Sequence, residues 1–337
     1  MNYEIRNRFH EGVLQAAAAA YGLTADQLKS VGGFESSVYE YSRDGRSYIM
    51  KITHTLRRSV DYIQGELEWL AYLADHGIPA ARSVPSRQGR NVEVLAEPDG
   101  FAFLVICYDK AEGRRAGEAE WSGPLFEALG ELMGRMHALT KSYVPSAPVY
   151  KRQEWYEGEQ LRTANYVPVD QTRVVEQAQA LIARLRRLPR TRDVYGLVHA
   201  DLHRGNFFVD DEGRITVFDF DDIEYSWFMN DIAIVLFYAR FPKRGLHPEE
   251  PDFIAYFLQH FMAGYNRHHK LDPVWFRHVP DFLMLRHILL YTIFFQSHER
   301  SQITPDQWTE QEKRRKIIEN QEPIVPFDFI RFAEQLR

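Results

Sequence analysis

The stretch LVHADLHRGNFFVDDEGRITVFDFDD, from Leu197 to Asp222, sets apolar runs of strand type against a high density of acidic, amide and imidazole side chains. A buried carboxylate is costly unless it is paired or holds a cation. A chain with Asp201, Asp219, Asp221 and Asp222 beside such runs must therefore fold so as to bring partners to them. The pattern predicts a β-hairpin, Phe207 to Val209 against Ile215 to Phe218 around the turn Asp210 to Gly213. A hairpin brings its outer ends together, and these ends carry Asn206 and Asp219, with Asp201 a few residues upstream. An amide oxygen and a carboxylate converging in this way suit Mg2+, which completes its shell with phosphate and water. Asp201 is then left to act as the base for an incoming hydroxyl.

Magnesium with phosphate implies something that holds the phosphate. Lys51 lies in the alternating run SYIMKI, on the face opposite Tyr48 and Met50. The following segment reads as a helix with Ser59 as N-cap, Gly77 just past its end and Pro79 beyond. Its apolar stripe runs through Val60, Ile63, Leu67, Leu70, Leu73 and Ala74, and Glu66 sits at the edge of that stripe. A half-buried Glu66 needs a cation, and Lys51 is the nearest in the order of elements. Strand lysine, helix glutamate, HxDxxxxN and an aspartate after a hairpin follow the order of the phosphoryl-transfer template of protein kinases.

The rest of the chain gives the frame. Residues 3–20 read as helix. VGGFESSVYEYSRDGRSYIMKIT then reads as a glycine turn and two strands joined at Asp44-Gly45. NVEVLAE and FAFLVICY are further strands, PLFEALGELMGRMHALT and VVEQAQALIARLRRL are helices, and the sequence is mostly helical from Asp231 on. This outlines an α+β chain with a small strand-rich N-terminal lobe over residues 1–108 and a larger helical lobe over 109–337. At 337 residues the chain has room for both. A net charge of −6 without a Lys/Arg block argues against nucleic acid as partner. The apolar run FLMLRHILLYTIFF is too short to span a bilayer and is interrupted by Arg286 and His287, so no membrane partner is expected. One cysteine, Cys107, and an N-terminus lacking an apolar signal core fit a cytoplasmic protein. The oligomeric state is left open.

HADLHRGN followed by VFDFDD resembles the aminoglycoside phosphotransferase/choline kinase family, which has a bilobal protein-kinase-like fold. GGFESSVY, YIMKI, GELEWLAYLADHGIP and LGELMGRMHAL are similar to its small-lobe and hinge-following segments. DFDD and the YGL…GGFE start place the chain nearest the bacterial RdoA-type and homoserine-kinase-like branch; the likeness covers roughly residues 20–240. It implies an ATP- and Mg2+-dependent transfer of the γ-phosphoryl group to a hydroxyl of a small molecule: an aminoglycoside, a choline-like amine or an amino-acid alcohol. A protein Ser/Thr kinase of the RdoA type is the nearest alternative.

Carried onto this chain, the resemblance makes Asp201 the catalytic base and Asn206 and Asp219 the metal ligands. Lys51, positioned by Glu66, contacts the α/β-phosphates, and Gly33 and Ser36 lie in the nucleotide loop. Main-chain groups around Cys107 to Lys110, Tyr108 among them, receive adenine, while His199 and Asp231 brace the catalytic loop. Ala200, Arg204 and Ser36 stand where the family more often has Gly, Pro and Asn, and the nucleotide loop lacks the three-glycine pattern of protein kinases.

Asp221 and Asp222 are open between a second metal or cationic-substrate role and capping of the next turn. Tyr225, Trp227, Arg240, His287, Tyr291 and Glu299 are candidates for acceptor recognition. Readings from other classes are weaker. VFDFDDI resembles the haloacid-dehalogenase phosphatase signature with Asp219 as nucleophile and Asp221 as acid; Lys243, Lys270, Lys313 and Lys316 follow downstream, but no convincing acidic pair does. A non-catalytic ATP-binding module would not need Lys51, Asp201, Asn206 and Asp219 together.

Overall fold

Asp44 and Gly45 both take left-handed backbone, φ 52° and 75°, as a two-residue hairpin turn between right-twisted strands requires. They join β2 (Ser37–Arg43) to β3 (Arg46–His54), and β1 (Lys29–Gly32) pairs with β2. The computed structural model describes residues 3–33, 36–117, 120–240 and 251–336. They belong to two units. The first is Met1–Gly113 with Tyr143–Arg152 and Thr216–Asp221; the second is Arg114–Ser142, Gln153–Ile215 and Asp222–Arg337. The expected boundary at 108/109 falls just short of Gly113, and the two later stretches of the first unit were not expected.

In the first unit β4 (Ser83–Val84), β5 (Glu93–Ala96) and β6 (Ala102–Asp109) complete an antiparallel sheet, ordered β1-β2-β3-β6-β4 with β5 also on β6. Met50, Ile52, Val105 and Cys107 point to one face of it. There they pack with Ile5, Ala17 and Tyr21 of the N-terminal segment, which forms α1 (Tyr3–Arg8) and α2 (Glu11–Ala20). The single helix expected over 3–20 is broken because His10 is extended, φ −137° and ψ 170°. Lys51, between Met50 and Ile52, projects from the other face. α3 (Val60–Asp75) begins as expected, with Ser59 Oγ accepting the Tyr62 N–H at 3.1 Å. Gly65 brings α3 so close to the Tyr150 carbonyl that a Cβ there would collide with it, which explains why residues 143–152 pack in this unit.

The second unit is mainly helical. α4 (Gly123–Thr140) and α7 (Pro251–Tyr265) cross backbone to backbone: a Cβ on Gly130 or Gly134 would strike the carbonyl of Phe261 or Tyr265, and one on Gly264 that of Glu127. Between them in sequence come α5 (Thr172–Leu185), β7 (Tyr195–Val198), β8 (Phe207–Val209), β9 (Ile215–Val217), β10 (Glu224–Trp227) and α6 (Phe228–Ala239). The turn before β9 is closed by the Asp210 N–H on the Arg214 carbonyl at 3.1 Å. β10, unexpected from sequence, pairs antiparallel with β7, and α6 leaves it directly. α8 (Val279–Ser297), α9 (Pro305–Asn320) and α10 (Phe329–Gln335) finish the chain. Among the described residues no helix is long and apolar enough to cross a membrane.

Candidate active site

The site residues fall into two groups, one in each unit. In the first, β3 presents Lys51, and the segment Thr216–Asp221 presents the half-exposed Asp219 and the buried Asp221 on either side of the buried Phe220. Asp219 has a left-handed backbone, φ 62°, which costs a non-glycine residue about 1–2 kcal/mol. Lys51 Nζ donates to Asp219 Oδ1 at 3.2 Å and lies 3.8 Å from Asp221 Oδ2. Burial opposes the ammonium charge, but Asp219, Asp221 and Glu66 outweigh it, and the pKa of Lys51 is raised.

Asp221 is answered more fully. Its carboxylate meets Arg57, has Arg58 Nε at 3.7 Å, and its main-chain oxygen accepts from Arg152. Burial alone would raise its pKa, yet Lys51, Arg57, Arg58 and Arg152 hold it well below the usual carboxylate range. Arg152 is fixed in turn by the Tyr62 carbonyl at 2.7 Å and lies over the Tyr62 ring. Asp221 thus ties the end of this segment to the loop after β3.

The expected ion pair between Lys51 and Glu66 is not formed. Glu66 is 3% exposed, more buried than its place at the stripe's edge implied, and its Oε1 accepts the Tyr108 hydroxyl at 3.0 Å. Lys51 is drawn instead to the two aspartates, and acts on Glu66 only as a nearby charge. Burial raises the Glu66 pKa, with Lys51 opposing. Tyr108, expected through its main chain, contributes its phenol. The main chain of Cys107 pairs with Met50 and Val84 and that of Tyr108 with Ile49 and Ser83, while the Asp109 and Lys110 N–H groups donate to Arg82 and Ser47. Gly33 has φ 126°, and a Cβ there would collide with the Ser36 carbonyl; Ser36 is buried. Phe34 and Glu35 of the nucleotide loop lie outside the described residues, as does Lys243.

The second unit holds the loop after β7. Asp231, fully buried on α6, accepts the Ala200 N–H on Oδ1 at 2.9 Å and the His199 N–H on Oδ2 at 3.1 Å. His137 Nε2 also reaches Oδ2 at 3.1 Å; an ionised carboxylate only accepts, so Nε2 donates, and Nδ1 lies 2.9 Å from the Tyr265 hydroxyl. Ala200 is left-handed, φ 61°, at the position where the family resemblance expects Gly. His199 Nδ1 accepts the Asp201 N–H at 3.3 Å, and His203 Nδ1 accepts the Gly205 N–H at 2.8 Å. Both imidazoles thus serve the loop's main chain. Among the described residues no group of three or more His, Cys, Asp or Glu is arranged to hold a metal.

Asp201 is held from three sides. Oδ2 accepts Asn206 Nδ2 at 3.1 Å and lies 3.5 Å from His203 Nε2, while Oδ1 meets the Arg286 guanidinium from α8. Asn206 Nδ2 also donates to the Asp201 carbonyl at 2.9 Å, so both of these bonds use the amide nitrogen and neither uses its Oδ1. Burial raises the Asp201 pKa, but Arg286 and His203 more than cancel this, so the carboxyl lies below its ordinary value. Asp222 belongs to this unit, where its charge acts on Arg286 and Tyr238.

Of the acceptor-recognition candidates, Trp227, Tyr291 and His287 are buried and bonded to Pro189, Gln171 and Arg314 respectively; Tyr225 and Arg240 are partly exposed and Glu299 is exposed. Arg57, Arg58, Arg152, Tyr238 and Arg286 were missed. The signal for Arg286 was present as the break in an apolar helix, and that for Arg57 and Arg58 as paired charges just after a strand.

Residues 28–271 match the phosphotransferase enzyme family, APH. Amicoumacin kinase of Bacillus subtilis (strain 168) is 47% identical over 97% of both chains. A solved structure of amicoumacin kinase hAmiN in complex with AMP-PNP, Ca2+ and Ami is 44% identical, covers 100% of both chains and superposes with a TM-score of 0.93. Homoserine kinase of Methylobacillus flagellatus (strain ATCC 51484 / DSM 6875 / VKM B-1610 / KT) is 28% identical over 60% of both chains.

Proposed function

The chain belongs to the phosphotransferase enzyme family and is a small-molecule kinase that uses ATP and a divalent cation; on that premise we propose that it transfers the γ-phosphoryl group of MgATP to a hydroxyl of amicoumacin. The observation that carries the choice of acceptor is the reach of the similarity. It extends over 97% of the chain for the amicoumacin kinase and over 60% for the homoserine kinase.

Asp201 aligns the acceptor hydroxyl and takes its proton as the oxygen attacks phosphorus. Lys51 contacts the α/β-phosphates, and Gly33 and Ser36 lie beside them. Asn206 and Asp219 would hold Mg2+: their donors are an amide oxygen and a half-exposed carboxylate, both hard ligands. When bound, the metal neutralises phosphate charge as the γ-phosphoryl leaves. His199 and Asp231 keep the loop in shape, and Asp221 anchors Asp219 without meeting substrate. Most of the rate comes from position and charge.

A cytoplasmic location without a nucleic-acid partner belongs to the same reading, supported by the −6 charge and the unpaired Cys107. The phosphatase alternative would make Asp219 a nucleophile, whereas its carboxylate is bound to Lys51 and the chain is of the phosphotransferase family.

The test is ATP turnover over amicoumacin, homoserine, choline, an aminoglycoside and a protein serine substrate, with mass spectrometry of the products. Phosphorylated amicoumacin is the expected product, at the highest kcat/KM of the panel. Asp201→Asn should lower kcat by about a hundred- to ten-thousand-fold while leaving nucleotide affinity in place. A higher kcat/KM on another acceptor, or full turnover in the variant, would refute the corresponding half of the proposal.

A further inference from the structure

An arginine in the middle of α8 is out of place by composition, since Leu283, Met284, Leu285 and Ile288 around it are buried. Burying a guanidinium there is costly unless its partners are well placed. Arg286 is 8% exposed, and its NH2 group meets Asp201 Oδ1 and the Tyr238 hydroxyl, the latter at 2.6 Å. Its NH1 lies 3.5 Å from the Ala200 carbonyl, and the guanidinium carbon lies 5.1 Å from the Tyr238 ring centre. The side chain is thus directed at two successive residues of the catalytic loop.

We propose that Arg286 is a positioning residue for phosphoryl transfer: it fixes the Asp201 carboxylate in the orientation from which that group meets the acceptor hydroxyl. The inference rests on the reading of Asp201 given above. An aspartate's terminal torsion is soft and roughly two-fold. Asn206 and His203 engage only Oδ2, so without Arg286 the carboxylate is free to turn about that anchor. Tyr238, on α6, fixes the guanidinium itself, so the loop takes its aim from two helices of its own unit. The interaction places the α8 backbone, and with it any acceptor-binding side chain on that helix, in fixed relation to the catalytic oxygen.

The experiment compares Arg286→Met, Arg286→Lys, Asp201→Asn and the double variant Asp201→Asn/Arg286→Met. Turnover uses MgATP and the best acceptor of the panel, and kcat is expressed per site titrated with a fluorescent ATP analogue, so that misfolded protein is not counted. Loss of aim should lower kcat per site in Arg286→Met by about a hundredfold, with KM for ATP within about threefold of wild type. Arg286→Lys, which keeps the charge but not the fork, should recover about a tenth of wild-type kcat. In the Asp201→Asn background, Arg286→Met should cost less than about twofold, since both act through one group.

A purely structural arginine would lower the number of sites and leave kcat per site unchanged; that result overturns the inference, as do additive losses in the double variant. If Arg286→Met yields no titratable sites, Arg286→Lys decides: a reduced kcat at unchanged KM for ATP supports the inference, and wild-type kcat overturns it. If Asp201→Asn is itself fully active, the reading of Asp201 falls and the inference with it. If Asp201→Asn is inactive and the Arg286 variants are not impaired, only the inference falls.

Discussion

Asp231→Asn separates a brace from a bystander. Two oxygens of Asp231 accept three donors: Ala200 N–H on Oδ1, and His199 N–H and His137 Nε2 on Oδ2. An asparagine keeps one oxygen and turns an NH2 group toward a donor. The better orientation keeps the oxygen at the Oδ2 place and leaves only the Ala200 N–H unpaired. An unpaired buried donor costs about 1–3 kcal/mol, and turning the other two bonds from charged to neutral acceptors costs about 1 kcal/mol each. Removing a fully buried charge returns part of its desolvation cost, so the net loss should lie near the lower end, about 3 kcal/mol. For a unit of this size that is a fall in melting temperature of roughly 6–12 °C.

The loss should also be local. Asp231 holds the left-handed Ala200 through its own N–H and that of His199, so freeing the Ala200 N–H lets Asp201 lose its aim, and kcat falls with it. Thermal melting gives the first number. Hydrogen exchange of a peptide spanning residues 197–206 gives the second, with the Ala200 amide exchanging much faster than in wild type. A melting temperature within about 2 °C of wild type, or unchanged protection of that amide, would refute the reasoning.

Gly130→Ala should destabilise the second unit by several kcal/mol, on the order of a severe overpacking, because the added methyl meets the Phe261 carbonyl and not a side chain that can move; a chemical-denaturation midpoint equal to wild type would argue against the close α4–α7 crossing. Lys51→Met should raise KM for MgATP by about tenfold, roughly one charge-assisted contact, whereas Glu66→Gln, which keeps an acceptor for Tyr108, should change it much less; equal effects would restore the direct Lys51–Glu66 pair. His269 is buried, its Nε2 donates to the Asp193 carbonyl at 3.0 Å, and burial, helped by His137, lowers its pKa to about 4. The unfolded imidazole titrates at about 6.5, so between these values the unfolded chain binds a proton that the folded one does not, and stability falls as pH drops through that window. The melting temperature of His269→Gln should fall less steeply from pH 7 to 4.5 than that of wild type, and parallel curves would count against this account.

The parts legible in sequence are those fixed by neighbours in the chain. Ser59 caps α3, and Asp44-Gly45 turn between β2 and β3, because a cap needs a hydroxyl a few residues ahead and a tight hairpin needs positive φ. The motif HADLHRGN likewise gave a loop whose parts bond to one another, as the Asn206 and His199 contacts to Asp201 show. Choice among distant partners was not legible. Glu66 sits at the edge of its helix stripe, and periodicity cannot say whether a lysine or a phenol will meet it; β6 supplies Tyr108. Arg286 and Asp201 stand 85 positions apart, and only the packing of α8 joins them. Asp221 and Asp222, adjacent and alike in sequence, belong to different units, where the first meets Arg57 and Arg58 and the charge of the second acts on Arg286; nothing in the local pattern tells them apart.

The position of Cys107 makes the first unit its own reporter. The thiol is fully buried on β6 among Tyr21, Tyr41 and Met50, and burial pushes its pKa up to about 12. Alkylating reagents react with exposed thiolate, and the native site offers neither exposure nor charge. Because the chain has no other cysteine, covalent labelling can proceed only through an opening that lifts β6 away from the N-terminal helices. The labelling rate under native conditions therefore counts such openings directly. It is blind to unfolding confined to the helical unit, and a nucleotide that clamps the small sheet should register as a slower rate without any engineered probe.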